Sequence, residues 1–222
     1  METSITTQLF PAFKEWAAIV EALGAGEQIL LLRKGGIAEG RGGFQVKNQR
    51  FWLYPTFFHA QLEESKSGAE KFFALAARTG TPAKSVHPLP DTTDFPAPQA
   101  STVAGRQVAP DATSPVTLRY FAKVEQSSFI DDWSRIQALD AQHLWKESLV
   151  RERFDWSKPP GLHVIIVRVF TISQPRVITP TAEMLGCKSW IDVPFDFEAV
   201  PSTPVLSDEA FEKKRKPYGS VK

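Results

Sequence analysis

Between Arg33 and Arg50 the chain carries Arg33, Lys34, Arg41, Lys47 and Arg50 against Glu39 alone, with Gly35, Gly36, Gly42 and Gly43 among them. Glycines let a backbone approach a ligand closely, and five cations could neutralise several phosphates. The candidate phosphate or nucleic-acid contacts are therefore Arg33, Lys34, Gly35, Gly36, Arg41, Lys47 and Arg50. A hairpin turn with solvated charges would have the same composition, and the pattern is neither a Walker loop nor a dinucleotide fingerprint.

A second set of residues suits acid/base or nucleophilic work. His59 follows Phe57 and Phe58, and histidine is the side chain that titrates near neutral pH; Glu15 is a carboxylate that could orient it. Cys187 becomes a nucleophile if a base beside it lowers its pKa. The structural alternatives are a histidine packed among aromatics and a buried cysteine in a turn. His87, His143 and His163 make no metal-ligand spacing with Cys187, so neither a zinc site nor any cofactor is expected. A Nudix enzyme would need an acidic metal-binding helix that is missing. Glu64-Ser65-Lys66 has nuclease-like local spacing but no upstream aspartate, and reads as a solvated helix start. Asp131-Asp132 suits a helix N-terminus. Trp16, Trp52, Trp145, Trp156 and Trp190 read as core anchors, since base stacking would require exposure.

The elements that must position these groups follow from periodicity. Phe13, Trp16, Val20 and Leu23 recur at spacings of three and four before Gly24 and Gly26, which predicts an amphipathic helix with a glycine stop. Residues 28–33 are apolar on both pleat faces, as in a central strand. Phe44 and Val46 before Lys47-Asn48-Gln49, with Phe51 and Leu53 after, predict a hairpin or bulged strand ending at Pro55; a helix follows over 67–78. Beyond residue 115, strands are expected at 116–124, 162–170 and 189–193, with helices carrying Trp133, Ile136 and Leu139, then Leu144, Trp145, Leu149 and Val150. Short connections between sequential strands favour an α+β fold with a mostly antiparallel or mixed sheet and packed helices.

Residues 79–115 hold seven of the 17 prolines and one aromatic, Phe95. Such a stretch buries too little apolar surface to offset its ordering and reads as a disordered linker. The expected organisation is an N-terminal half over 1–78, the linker over 79–115, a C-terminal half over 116–199 and a basic flexible tail over 200–222 ending in Lys213-Lys214-Arg215-Lys216. One composite domain is favoured over two.

The runs Lys14-Glu15-Trp16, Leu30-Leu31-Leu32-Arg33-Lys34-Gly35-Gly36-Ile37 and Leu53-Tyr54-Pro55-Thr56 with Phe58-His59 resemble the signature of DUF1802, a bacterial family of unknown function. Val164 to Phe170 and Gly186-Cys187-Lys188-Ser189-Trp190 are similar to its second block. The matches skip the linker. Some members carry the domain beside a restriction-endonuclease-like module, so the resemblance implies a restriction-modification or other nucleic-acid context without implying an activity.

Composition bounds the alternatives. With 222 residues, 42% hydrophobic and 23% charged, the chain is neither disordered throughout, collagenous nor coiled coil. Its apolar runs, such as Ile29 to Leu32, are too short to span a membrane, and a single cysteine excludes an internal disulfide; both favour a cytoplasmic protein with no membrane partner. Twenty-six basic against 25 acidic residues leave a net charge of +1, so any nucleic-acid binding must be local. Two readings result: a nucleic-acid-associated accessory or binding module with phosphates at the glycine-rich stretch, and a small-molecule enzyme using His59, Glu15 and Cys187. Nothing in the sequence names a protein partner.

Overall fold

The computed structural model describes residues 8–34, 48–57, 61–79, 114–156, 158–185 and 188–219. Its elements in chain order are β1 (Phe10–Trp16), α1 (Ala17–Gly24), β2 (Leu30–Arg33), β3 (Arg50–Thr56), α2 (Glu70–Thr79), β4 (Val116–Ile130), α3 (Trp133–Gln137), α4 (Glu147–Trp156), β5 (Leu162–Ile178), β6 (Trp190–Val193), β7 (Ser202–Pro204) and α5 (Asp208–Arg215). Among the described residues, seven strands form one mixed sheet in the order β2-β5-β4-β3-β1-β6, with β7 on β5, and five helices accompany it. The class is α+β, as expected. Among the described strands β1 and β3 pair in parallel and the other pairings are antiparallel.

The sheet interleaves the two halves of the chain. β2 lies on β5, β3 on β4 and β6 on β1, so each of these seams joins a strand before residue 80 to one after residue 113. Neither half alone could satisfy the edges that the other covers.

Strand alternation assigns the side chains to two layers. In β1 and β3, Phe13, Phe51 and Leu53 join a core with α1, β2, α4 and α5, whereas Ala12, Trp52 and Tyr54 join a second with Leu118, Phe121, Ile191 and Phe197. The second is rich in rings: Phe121 stacks on Phe170 at 4.9 Å, and Trp52 Nε1 donates to the Phe195 carbonyl at 2.7 Å.

Residues 10–16 differ from the sequence expectation. They are a strand, and the helix begins only at Ala17. In β1 the residues Ala12, Phe13, Glu15 and Trp16 are all buried, so no single period separates strand from helix; pairing with β3 and β6 decides for the strand. The glycine stop is where expected. Gly26, at φ +69°, takes the left-handed conformation after α1, and its N–H donates to the Leu23 carbonyl at 3.0 Å. β2, expected to be central, ends the sheet order, yet Leu30, Leu31 and Leu32 are buried.

That burial reflects strong curling. Three strands separate β2 from β1, which in a flat sheet would place them about 19 Å apart at roughly 4.8 Å per step. Arg33 at the end of β2 nevertheless contacts Lys14 and Glu15 in β1. Irregular register at Leu118/Tyr120 and Val124/Gln126 in the long β4–β5 pair bends the sheet locally.

Within 200–222, expected as a flexible tail, α5 is an anchored helix. Ser207 caps it by accepting from the Ala210 N–H at 3.2 Å, Asp208 and Glu209 open it, and Lys213, Lys214 and Arg215 close it, matching the helix dipole. Phe211 and Tyr218 bury in the core and hold the basic run in place. Among the described residues no helix is long and apolar enough to cross a membrane.

Candidate functional site

Glu15 ends up beside Arg33, joining two residues that the sequence offers for different chemistry. The Glu15 side chain is 1% exposed. Its Oε1 accepts from the Trp16 N–H at 2.7 Å, and its Oε2 lies 3.1 Å from Arg33 Nη2 as an ion pair without hydrogen-bond alignment. Arg33 also donates to the Lys14 carbonyl and lays its guanidinium over the Phe13 ring, 4.3 Å from the centroid. Thr56 Oγ1, from the neighbouring end of β3, donates to the Glu15 carbonyl at 2.9 Å. The guanidinium thus brackets the two ends of the curled sheet.

A third charged residue, Arg153 of α4, joins this pair. Its guanidinium lies 5.1 Å from the Trp16 ring and 5.6 Å from the Trp145 ring. Burial pulls its pKa down to about 10, with Glu15 pushing it back up and Arg33 adding to the depression. It remains charged at neutral pH.

The next turn of α4 ends in Trp156, which is 54% exposed. Lys34 Nζ, one residue past β2, sits 4.1 Å over its ring. Register places Arg33 opposite His163, and His163 opposite Phe129, whose exposed ring lies 5.0 Å from the imidazole. Gly161 ties α4 to the same place: its N–H donates to the Phe154 carbonyl at 3.0 Å, and a Cβ there would meet the Phe129 ring at 2.4 Å. The ends of β2, β4 and α4 and the start of β5 therefore form one rim carrying Lys34, Trp156 and Phe129.

The remaining candidates fall elsewhere. Gly35, Gly36, Arg41, Lys47, His59 and Cys187 lie outside the described residues. Arg50 opens β3 and pairs with Glu198 in solvent. Glu64-Ser65-Lys66 is not a helix start but a lock between segments: Ser65 bridges to Trp145, Lys146 N–H donates to the Glu64 carbonyl at 2.9 Å, and Lys66 pairs with Asp140 at 2.7 Å. Asp132 caps α3 by accepting from the Ser134 N–H at 2.8 Å, as expected. Trp16, Trp52 and Trp145 are buried anchors and Trp190 is partly buried, whereas Trp156 departs from that role. Among the described residues no three His, Cys, Asp or Glu side chains gather to hold a metal ion.

Sequence reasoning missed Arg153 and the exposure of Trp156. The available signal was their spacing of three on a helix, which puts both on one face.

His143 gives a pH prediction. It lines an open groove of about 250 Å³ between α2 and the segment before α4, and burial, reinforced by Lys66, lowers its pKa from 6.5 to about 4. The unfolded chain therefore takes up this proton first as the pH falls. The contribution of neutral His143 is complete above about pH 6.5 and is lost progressively between 6.5 and 4, by on the order of 3 kcal/mol. Thermal unfolding across pH 4 to 7 should show that loss, and His143→Phe should flatten it.

Comparison with known proteins gives one family and one structural likeness. The family model described as "Domain of unknown function (DUF1802)" matches residues 12–217. No curated protein matches the chain. Among solved structures, the ZmASCH S128A mutant protein from Zymomonas mobilis is similar at 12% sequence identity and a TM-score of 0.42, covering 91% of this chain and 92% of that one.

Proposed function

We propose that this chain, which belongs to the DUF1802 family, is a nucleic-acid-binding module that stacks a single-stranded base on Trp156 and holds phosphates at Lys34 and the glycine-rich stretch beyond it. The observation that carries the reading is the exposed indole. A tryptophan left 54% exposed forgoes much of the apolar burial its ring could provide, and Lys34 covers only part of it. An aromatic surface beside a cation is the pairing that single-strand binders use, because every base has a face to stack and every nucleotide a charge to neutralise. Phe129 offers a second exposed ring on the same rim. The setting that goes with this reading is cytoplasmic, in restriction-modification or defence.

Labelled single-stranded and double-stranded DNA and RNA, followed by fluorescence anisotropy over a salt series, test it. Trp156→Ala is expected to weaken single-strand binding by about 1–3 kcal/mol with little change in salt slope. Lys34→Ala should reduce the slope by about 0.7, the share of one phosphate contact on a single strand. Absence of binding at low salt would sink the reading. A second reading, a small-molecule enzyme with an acid/base site around His59 and Glu15, draws on the burial of the Glu15 carboxylate beside two arginines.

A further inference from the structure

Arg153 makes no hydrogen bond and no ion pair with any described residue, although Glu15, Glu64 and Glu152 all lie within Coulombic range of it. Its guanidinium carbon instead lies 5.1 Å from the Trp16 ring centroid and 5.6 Å from that of Trp145. A guanidinium stacked on a ring keeps its five N–H donors, which lie in its own plane, available to an acceptor. Two more donors nearby are buried without an acceptor among the described residues, Arg33 Nε and Trp145 Nε1. Glu15 accepts from the Trp16 N–H through Oε1 and pairs ionically with Arg33, which leaves its Oε2 buried without a hydrogen-bond donor. Among the described residues the unpartnered donors around Arg153 therefore outnumber the one carboxylate oxygen, Glu15 Oε2, and such an excess in a partly dry site is relieved by an incoming oxyanion.

The position on α4 narrows what that oxyanion belongs to. Arg153 and Trp156 are three residues apart, so their side chains leave the same helix face about 5–6 Å from each other, close to the reach from a base to its own phosphate. The geometry points to a nucleotide site on α4 in which Arg153 grips the phosphate of the residue whose base stacks on Trp156. The inference rests on the single-strand reading of Trp156 and adds to it a paired site for base and phosphate. Two non-bridging phosphate oxygens match the guanidinium fork, which a lysine cannot reproduce. No covalent step is involved.

The test titrates the full chain with inorganic phosphate, with adenosine monophosphate and with a ten-residue single-stranded oligonucleotide, in the wild type and in Arg153→Gln, Arg153→Lys and Trp156→Ala. Arg153→Gln is expected to weaken the nucleotide and the oligonucleotide about tenfold or more and to lower the oligonucleotide's salt slope. Arg153→Lys should fall between it and the wild type, and it decides the matter if the glutamine variant loses its cooperative melting transition. Trp156→Ala should weaken nucleotide and oligonucleotide while leaving inorganic phosphate unchanged. Wild-type affinity and slope in both Arg153 variants would overturn the inference and leave the strand-binding reading standing. A wild type that binds the mononucleotide through Arg153 but no oligonucleotide would overturn strand binding and identify free nucleotide as the source of the phosphate.

Discussion

Glu15→Ala is expected to destabilise the protein by about 3–5 kcal/mol, the usual cost of removing one partner from a buried ion pair. The change leaves the Arg33 side chain, 19% exposed, without its counter-charge and removes the acceptor of the Trp16 N–H. Both losses fall where the curled sheet closes, since Arg33 is the group that ties β2 to β1. Glu15→Gln keeps the size and the acceptor but not the charge, so it should cost distinctly less. Urea denaturation of the two variants measures the difference. A loss below about 1 kcal/mol for the alanine variant would be too small for a structural ion pair. It would mean that Glu15 is kept buried for chemistry, which would revive the enzyme reading.

Trp145→Ala should cost a similar amount, about 3–5 kcal/mol, because a wholly buried indole leaves a cavity the surroundings cannot fill. Trp145 bears on three things at once: its backbone bridges to Ser65, its ring lies 5.5 Å from His143, and Arg153 lies over it. Trp145→Phe retains most of the volume and discards the buried Nε1 donor, so its cost should stay under about 1.5 kcal/mol. Comparing their melting midpoints separates packing from polarity. If both variants lost the same amount, the indole nitrogen rather than the ring volume would be what matters, and it would need a partner that the described residues do not supply.

How far each element could be read in advance follows from how local its cause is. β5 and β4 were expected because unbroken apolar or alternating runs such as Leu162 to Phe170 can be buried in few other ways, although both strands run longer than their patterns. β1 carries a helix-like apolar spacing because residues on both of its faces are buried. In the tail the run Lys213 to Lys216 suggests a solvated end, while its order comes from Phe211 and Tyr218 finding the core. At the site, Glu15 and Arg33 were singled out separately, and their pairing depends on how far the sheet curls.

From the sequence alone come the α+β class, the family resemblance and the residues able to carry charge or stack, because these depend on residue type and on neighbours a few positions away. The tertiary structure alone decided what those residues are free to do. The curl of the sheet ties Arg33 to Glu15, and Arg153, beside two indoles, makes no ion pair among the described residues; Trp156 remains in water beside Lys34. The reason is physical: exposure and pairing are set by contacts between segments far apart in the chain, and no periodicity within one segment records them.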